Sequence, residues 1–204
     1  MSDRIKNGVC YGSGDNLTSY LISGKRLYKD SSACDVYSDV EKFKNQASWI
    51  LCYPESKKLQ YEDKYILTWF RDAIHSLGSY CFLWGETEHH VFPIEVLEAL
   101  EIRLAYFQSF TNDCKDFLIQ EELFFLELDS LRIVIRDLER SFVRWYRTLY
   151  GEKELDGSRK TTAAILNRLS GYLFNLTRFY AKEWGVTENH WHGSVQSFDL
   201  YRKE

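Results

Sequence analysis

The sequence predicts an all-α protein: an antiparallel five-helix bundle with short connections, preceded by a glycine-rich N-terminal arm. Three observations carry this. Long stretches place apolar residues at spacings of three and four, the period of a helix face. Only 2 prolines and 11 glycines interrupt 204 residues, so elements run long. No segment is rich in strand formers, and no fixed-period repeat occurs.

A chain of this length fits one domain, 1–204, read as an arm (1–30), a bundle (35–184) and a tail (185–204). Such a chain buries roughly 70% of its unfolded surface, so it needs no disulfide or metal staple. Its 45% hydrophobic and 16% aromatic content suits a packed core. A formal net charge of −4 argues against nucleic acid as a partner, while leaving room for a local basic pocket. The five cysteines, Cys10, Cys34, Cys52, Cys81 and Cys114, are odd in number and contain no C-x-x-C pair. They read as reduced thiols of a cytoplasmic protein. MSDRIKNG is too polar for a signal peptide, and no apolar run approaches the ~18 residues of a membrane span.

Along the chain, the arm comes first. Gly12, Gly14 and Gly24 are interleaved with Ser13, Asp15, Asn16, Thr18 and Ser19, and Lys25, Arg26 and Lys29 follow. Small residues and exposed backbone N–H groups suit an anion, although a flexible arm has the same composition. The first helix runs from near Asp35 to Cys52, with Val36, Val40, Phe43, Ala47 and Ile50 inward, and Tyr53-Pro54 closes it. The second covers Glu62 to Leu83. Gly78 inside it costs about 1 kcal/mol relative to alanine, which points to close helix contact there. The third starts near Pro93, a good first-turn residue, and ends near Phe110. NDCKDFLIQEELFF reads as a break. The fourth helix is Leu131 to Tyr150. The fifth runs from Thr161 to Trp184, with Ile165, Leu166, Leu169, Leu173, Leu176 and Tyr180 as its stripe and Gly185 as its stop. The tail shows no clear period and is expected to pack across the surface or fray.

The fourth helix has the most chemistry. Arg132, Arg136, Arg140 and Arg144 recur every fourth residue beside an apolar stripe. Each step climbs about 6 Å and rotates about 40°, so two or three neighbours can face one ligand but not all four. Asp129, Asp137 and Glu139 could pair with them as an ordinary solvated face. Alternatively, guanidinium forks suit phosphate oxygens. Asn167, between two leucines of the last helix, reads either as a cap-like residue or as an amide offered to a ligand. A lone Phe117 at a chain break is usually core.

Several classes are absent. There is no G-x-x-x-x-G-K-[ST], no G-x-S-x-G and no H-E-x-x-H. His89-His90 and His190-x-His192 lie in loops and are poor metal ligands. Without Glu-x-x-His on a core face, no carboxylate-bridged metal centre is expected.

Taken together, the motifs resemble those of the PduO-type ATP:cob(I)alamin adenosyltransferases, over about residues 9–184 and in the same order. The family's T-x-x-G-D-x-G-x-T arm is similar to YGSGDNLTS, Tyr11 to Ser19, followed by GKRLYKD. Its Y-G-x-x-D-E-L is similar to YSDVEKF, and its F-I-L-P-G-G loop to DFLIQEE. Its A-R-x-x-x-R-R-x-E-R matches LRIVIRDLER, and its N-R-L-S-D-x-L-F-x-x-A-R-Y matches NRLSGYLFNLTRF.

The resemblance implies a cobalamin adenosyltransferase-like bundle that assembles as a homotrimer with sites between subunits. The reaction it implies is transfer of the 5′-deoxyadenosyl group of ATP to cob(I)alamin, with release of triphosphate. Mg²⁺ would ride on the ATP phosphates. It implies catalytic roles for Arg132, Arg136, Glu139 and Glu41, with Arg132 paired to Glu41 across the interface. Nucleotide contacts would come from Tyr11, Gly12, Ser13, Gly14, Thr18, Ser19, Lys29, Arg136, Arg140 and Asn167. Phe117 would displace the corrinoid's lower ligand. Departures from the pattern are Glu41 for aspartate, Lys42 for the next acid, Asp137 for an arginine, QEE for PGG, Gly171 for aspartate and a missing arm glycine. They leave open a second reading: a family-fold protein that binds a nucleotide or corrinoid without transfer.

Overall fold

Apolar spacing does build helices in the computed structural model. The structure describes residues 5–6, 9–10, 15–20, 26–82, 91–112, 114, 117–155 and 157–191. Helix α1 is Ser32–Cys52, and the Ser31 hydroxyl caps it by accepting from the Cys34 N–H at 3.4 Å. Val36, Val40, Phe43, Ala47 and Ile50 are all fully buried. A 3₁₀ turn, Pro54–Lys58, follows.

The expected second helix is two. Helix α2 is Tyr61–Ala73 and α3 is His75–Phe82. Around Ile74 the backbone tightens, with the Leu77 N–H bonding the Ile74 carbonyl at 3.1 Å. A Cβ on Gly78 would lie 3.2 Å from the Tyr37 ring, so the missing side chain lets α3 close on α1. Helix α4 is Ile94–Gln108, with Pro93 at the cap position before its first turn.

The arginine helix, α5, is Leu123–Tyr150 and therefore begins well before Leu131. Phe124, Phe125 and Leu128 extend its buried stripe backwards into what reads in sequence as a break. Helix α6 is Gly157–Glu183 and also starts earlier than Thr161. It ends as expected at Gly185, φ +71°. There the Val186 N–H bonds Ala181 O at 2.8 Å and the Gly185 N–H bonds Lys182 O at 3.1 Å, the paired closure of a left-handed cap. Helix α5 lies between α1 and α6, α4 packs on α6, and α2 and α3 pack on α1.

Short antiparallel ladders decorate this bundle: β1 (Ile5–Lys6) with β2 (Val9–Cys10), β3 (Thr18–Tyr20) with β4 (Arg26–Tyr28), and β5 (Phe117–Ile119) with β6 (Asn189–Trp191). The last pair corrects the reading of the tail. Residues 189–191 are a strand, in register Phe117↔Trp191, Leu118↔His190 and Ile119↔Asn189. Strands of two or three residues are too short to show a period.

A charged cluster inside the bundle was not anticipated. Asp63, fully buried in the first turn of α2, accepts from Arg103 Nε at 2.9 Å and Nη2 at 2.6 Å. It also accepts from the Tyr172 hydroxyl at 3.0 Å and the Tyr180 hydroxyl at 2.7 Å. The Gln60 N–H donates to the Tyr180 oxygen at 2.7 Å, and Arg103 stacks over the Tyr106 and Phe107 rings. Burial, then the neighbouring carboxylate, raises the ionisation of Tyr172 well above the usual tyrosine range. Burial likewise raises that of Tyr180. The cluster ties α2, α4 and α6 together. Asp63 and Arg103 both fall on the apolar register of their helices, a signal that was present in the sequence.

Candidate active site

The four arginines of α5 meet different fates. Arg132 Nε pairs with Asp129 Oδ1 at 2.6 Å, Arg140 with Asp137, and Arg144 Nη1 with Asp35 Oδ2 at 3.0 Å. Arg136 is exposed and, among the described residues, has no hydrogen-bond or ion-pair partner. The solvated-face reading therefore fits three of them and leaves out the one in the middle.

Arg136 stands where two hollows between α5 and α6 meet. One, of about 400 Å³, is lined by Arg136, Glu139, Arg140, Val143, Asn167 and Ser170. The other, of about 370 Å³, is lined by Leu118, Asp129, Arg132, Arg136, Ser170, Gly171 and Phe174. Asn167 is exposed and lies well inside α6, so the capping alternative falls away. Its Nδ2 donates to Glu139 Oε1 at 3.3 Å, which bridges the two helices across the first hollow. The first hollow thus presents the open guanidinium of Arg136, beside the Asp137-paired guanidinium of Arg140 and the Glu139-bonded amide of Asn167. These are donors suited to an anion with several oxygens. The second is more mixed. The Phe174 ring lies 5.9 Å below the Arg132 guanidinium, and Leu118 of β5 forms part of the wall.

Other expected site residues lie elsewhere in the chain. Thr18 and Ser19 are on β3, and Lys29 follows β4, its N–H bonded to Leu17 O at 2.8 Å. None of the three lines either hollow. Instead the base of this hairpin, with Leu27 and Asp30, borders a separate hollow of about 320 Å³ beside Arg144 and Asp35. Tyr11, Gly12, Ser13 and Gly14 lie outside the described residues. Glu41 is exposed on α1, while Arg132 is paired within its own helix. Phe117 sits on β5, beside Leu118.

Of the histidines, His190 is on β6, 3.8 Å from Glu188, and His89, His90 and His192 lie outside the described residues. Among the described residues no three His, Cys, Asp or Glu side chains gather as a metal site. An apolar groove of about 220 Å³ between α2 and α4 has Glu95 as its one charged lining residue and offers nothing that binds an anion. Ser170, Gly171 and Phe174 lie in the NRLSGYLFNLTRF motif but were given no site role from the sequence. They follow Asn167 by three, four and seven residues, so helical spacing places them on its face.

Comparisons with known proteins give the family and the fold. A family model described as cobalamin adenosyltransferase matches residues 9–180. No curated protein matches the chain in sequence. Among solved structures, two variants of a PduO-type ATP:corrinoid adenosyltransferase from Lactobacillus reuteri, each complexed with cobalamin and ATP, share the fold. One aligns at a TM-score of 0.71 with 16% identity, over 89% of this chain and 97% of that one. The other aligns at 0.71 with 18% identity, over 91% and 97%. A third variant, complexed with ATP, aligns at 0.70 with 19% identity, over 88% and 97%. With the family model matched over residues 9–180, the chain belongs to the cobalamin adenosyltransferase family.

Proposed function

We propose that this chain transfers the 5′-deoxyadenosyl group of ATP to cob(I)alamin, and that the cleft between α5 and α6 is the place of transfer. The observation that carries this is Arg136, an arginine without a partner among the described residues, at the junction of two hollows. In this reading the first hollow takes the triphosphate and the second takes the corrinoid side. The cob(I)alamin cobalt supplies the electron pair that bonds to C5′ of ATP, the C5′–O bond breaks, and triphosphate leaves with that pair. Negative charge grows on the leaving oxygen, next to Arg136 and Arg140. Preorganised donors at such a point stabilise the transition state more than the ground state. Asn167, oriented by Glu139, adds an amide donor. Mg²⁺ would enter with the nucleotide and would offset charge on its phosphates.

The arm completes the site from a second copy of the chain, and the assembly is a homotrimer with Glu41 of one copy near Arg132 of another. What supports this is that Thr18, Ser19 and Lys29 line neither hollow in the single chain. Phe117 acts on the corrinoid's lower face from β5. The free thiols of Cys34, Cys52 and Cys81 suit a cytoplasmic setting.

An anaerobic assay with reduced cobalamin and MgATP tests the proposal. Adenosylcobalamin forms at a rate proportional to protein; its absence with a folded trimer would overturn transfer. One observation favours the second reading, binding without transfer: Asp137 occupies Arg140. In that case calorimetry detects ATP or corrinoid binding in the same sample that shows no product.

A further inference from the structure

We propose that strand β6 and its anchor, the Arg178–Glu188 ion pair, position β5 as the wall of the Arg132 hollow and thereby set affinity for the corrinoid and not for the nucleotide. This rests on the transferase reading above. Strand β6 lies outside residues 9–180, the stretch that matches the family model.

Arg178 on α6 is nearly buried, at 7% side-chain exposure. Its Nε donates to Glu188 Oε1 at 2.9 Å and its Nη2 to Glu188 Oε2 at 3.2 Å. Its Nη1 donates to the Asn112 carbonyl at 2.7 Å. Glu188 directly precedes β6, and Asn112 lies on the segment between α4 and β5. One guanidinium therefore grips the chain ahead of both strands. A planar fork with all three edges engaged permits little movement of either.

The grip reaches the cleft by contact. Phe174, one turn earlier on α6, has its ring 5.8 Å from the Arg178 guanidinium and 5.9 Å from that of Arg132. Leu118, central in β5, pairs with His190 of β6 and lines the same hollow as Phe174. Arg178 and Glu188 line neither hollow, so they are positioning residues. The first hollow, with Glu139, Arg140 and Asn167, is lined by neither Leu118 nor Ile119 of β5.

The test is steady-state kinetics of Glu188→Ala and Glu188→Gln in the full chain, with melting curves for both. Glu188→Ala raises KM for cob(I)alamin at least ~10-fold and leaves KM for ATP within about two-fold, a loss comparable to one charge-assisted bond. Glu188→Gln keeps one acceptor for Arg178, folds even where the alanine variant does not, and shows the same selectivity at about three-fold. A merely structural staple lowers Tm and the active fraction without separating the two KM values. No rise in either folded variant, or equal rises for both substrates, overturns the inference. Absence of turnover by the unsubstituted chain overturns the transferase reading instead. The selectivity is then read from dissociation constants for cob(II)alamin and for ATP, with the same two outcomes.

Discussion

Asp63 and Arg136 are both charged residues on long helices, and they stand in opposite surroundings. Asp63 is dry, and every hydrogen bond it can use comes from Arg103, Tyr172 or Tyr180. Arg136 is wet and, among the described residues, accepts no help from any acid. A buried charge persists only when its partners are complete, and such a cluster holds helices in place. A guanidinium left open in a cleft, beside three neighbours that have each found an acid, is available to a ligand. The difference separates the charge that builds this bundle from the charge that acts in it.

The comparison breaks most visibly at Asp63. Asp63→Ala leaves Arg103 buried without its anion and is expected to cost about 3–5 kcal/mol, or roughly 6–20 °C in Tm. Calorimetric melting checks this, and a loss under 1 kcal/mol would show the cluster to be incidental. Arg136→Ala is the opposite case. Activity falls at least ~100-fold, as for a lost transition-state donor, while Tm stays nearly constant because the side chain is exposed. Equal losses of Tm and activity would place Arg136 in the structural class.

The third effect is a pH dependence. Tyr172 and Tyr180 are both held protonated in the folded chain, chiefly by burial, with ionisation raised above the ordinary value of 10.0. The stability they contribute is intact below pH 10 and drains away as the pH rises past it, because the unfolded tyrosines release protons more readily. Tyr180→Phe should flatten the alkaline limb of Tm against pH. An unchanged limb would mean that other groups govern it.

The smallest effect sharpens the wet side. Asp137→Asn frees Arg140 from an exposed pair, so stability changes by less than about 1 kcal/mol and KM for ATP falls by up to about five-fold. The gain should shrink as salt is raised. A rise in KM would instead make Asp137 part of the nucleotide site.

Much of this was legible in the residues. Every residue that the 3-and-4 spacing placed on the stripes of α1 and α6 is buried, because periodicity reports burial directly, although α6 also buries Tyr172 and Phe179 beside its stripe. Gly78 and Gly185 were legible because a missing side chain has one local consequence each. The break at Ile74 was not, since no glycine or proline stands there to mark it. The start of α5 was hidden because Leu123 to Leu128 is apolar on nearly every position, so no face stands out. Strand β6 was invisible for the opposite reason: three residues are too few for a period, and its partner is distant in sequence.

By itself, the sequence determined that the chain is helical, that arginines climb one side of α5, and that Asn167 shares a motif with them. It could not say which arginine stays open. Asp129, Asp137 and Glu139 were all within a few residues of the stripe, and any of them was a plausible partner. Asp129 and Asp137 pair within α5 at i, i+3, and the packing of α1 and α6 on α5 decided the rest. It gave Asp35 to Arg144 and Glu139 to Asn167, and it left Arg136 facing the cleft. The Arg144 and Asn167 pairs depend on distances of about 3 Å between side chains on different helices, and spacing along one helix carries no information about the next.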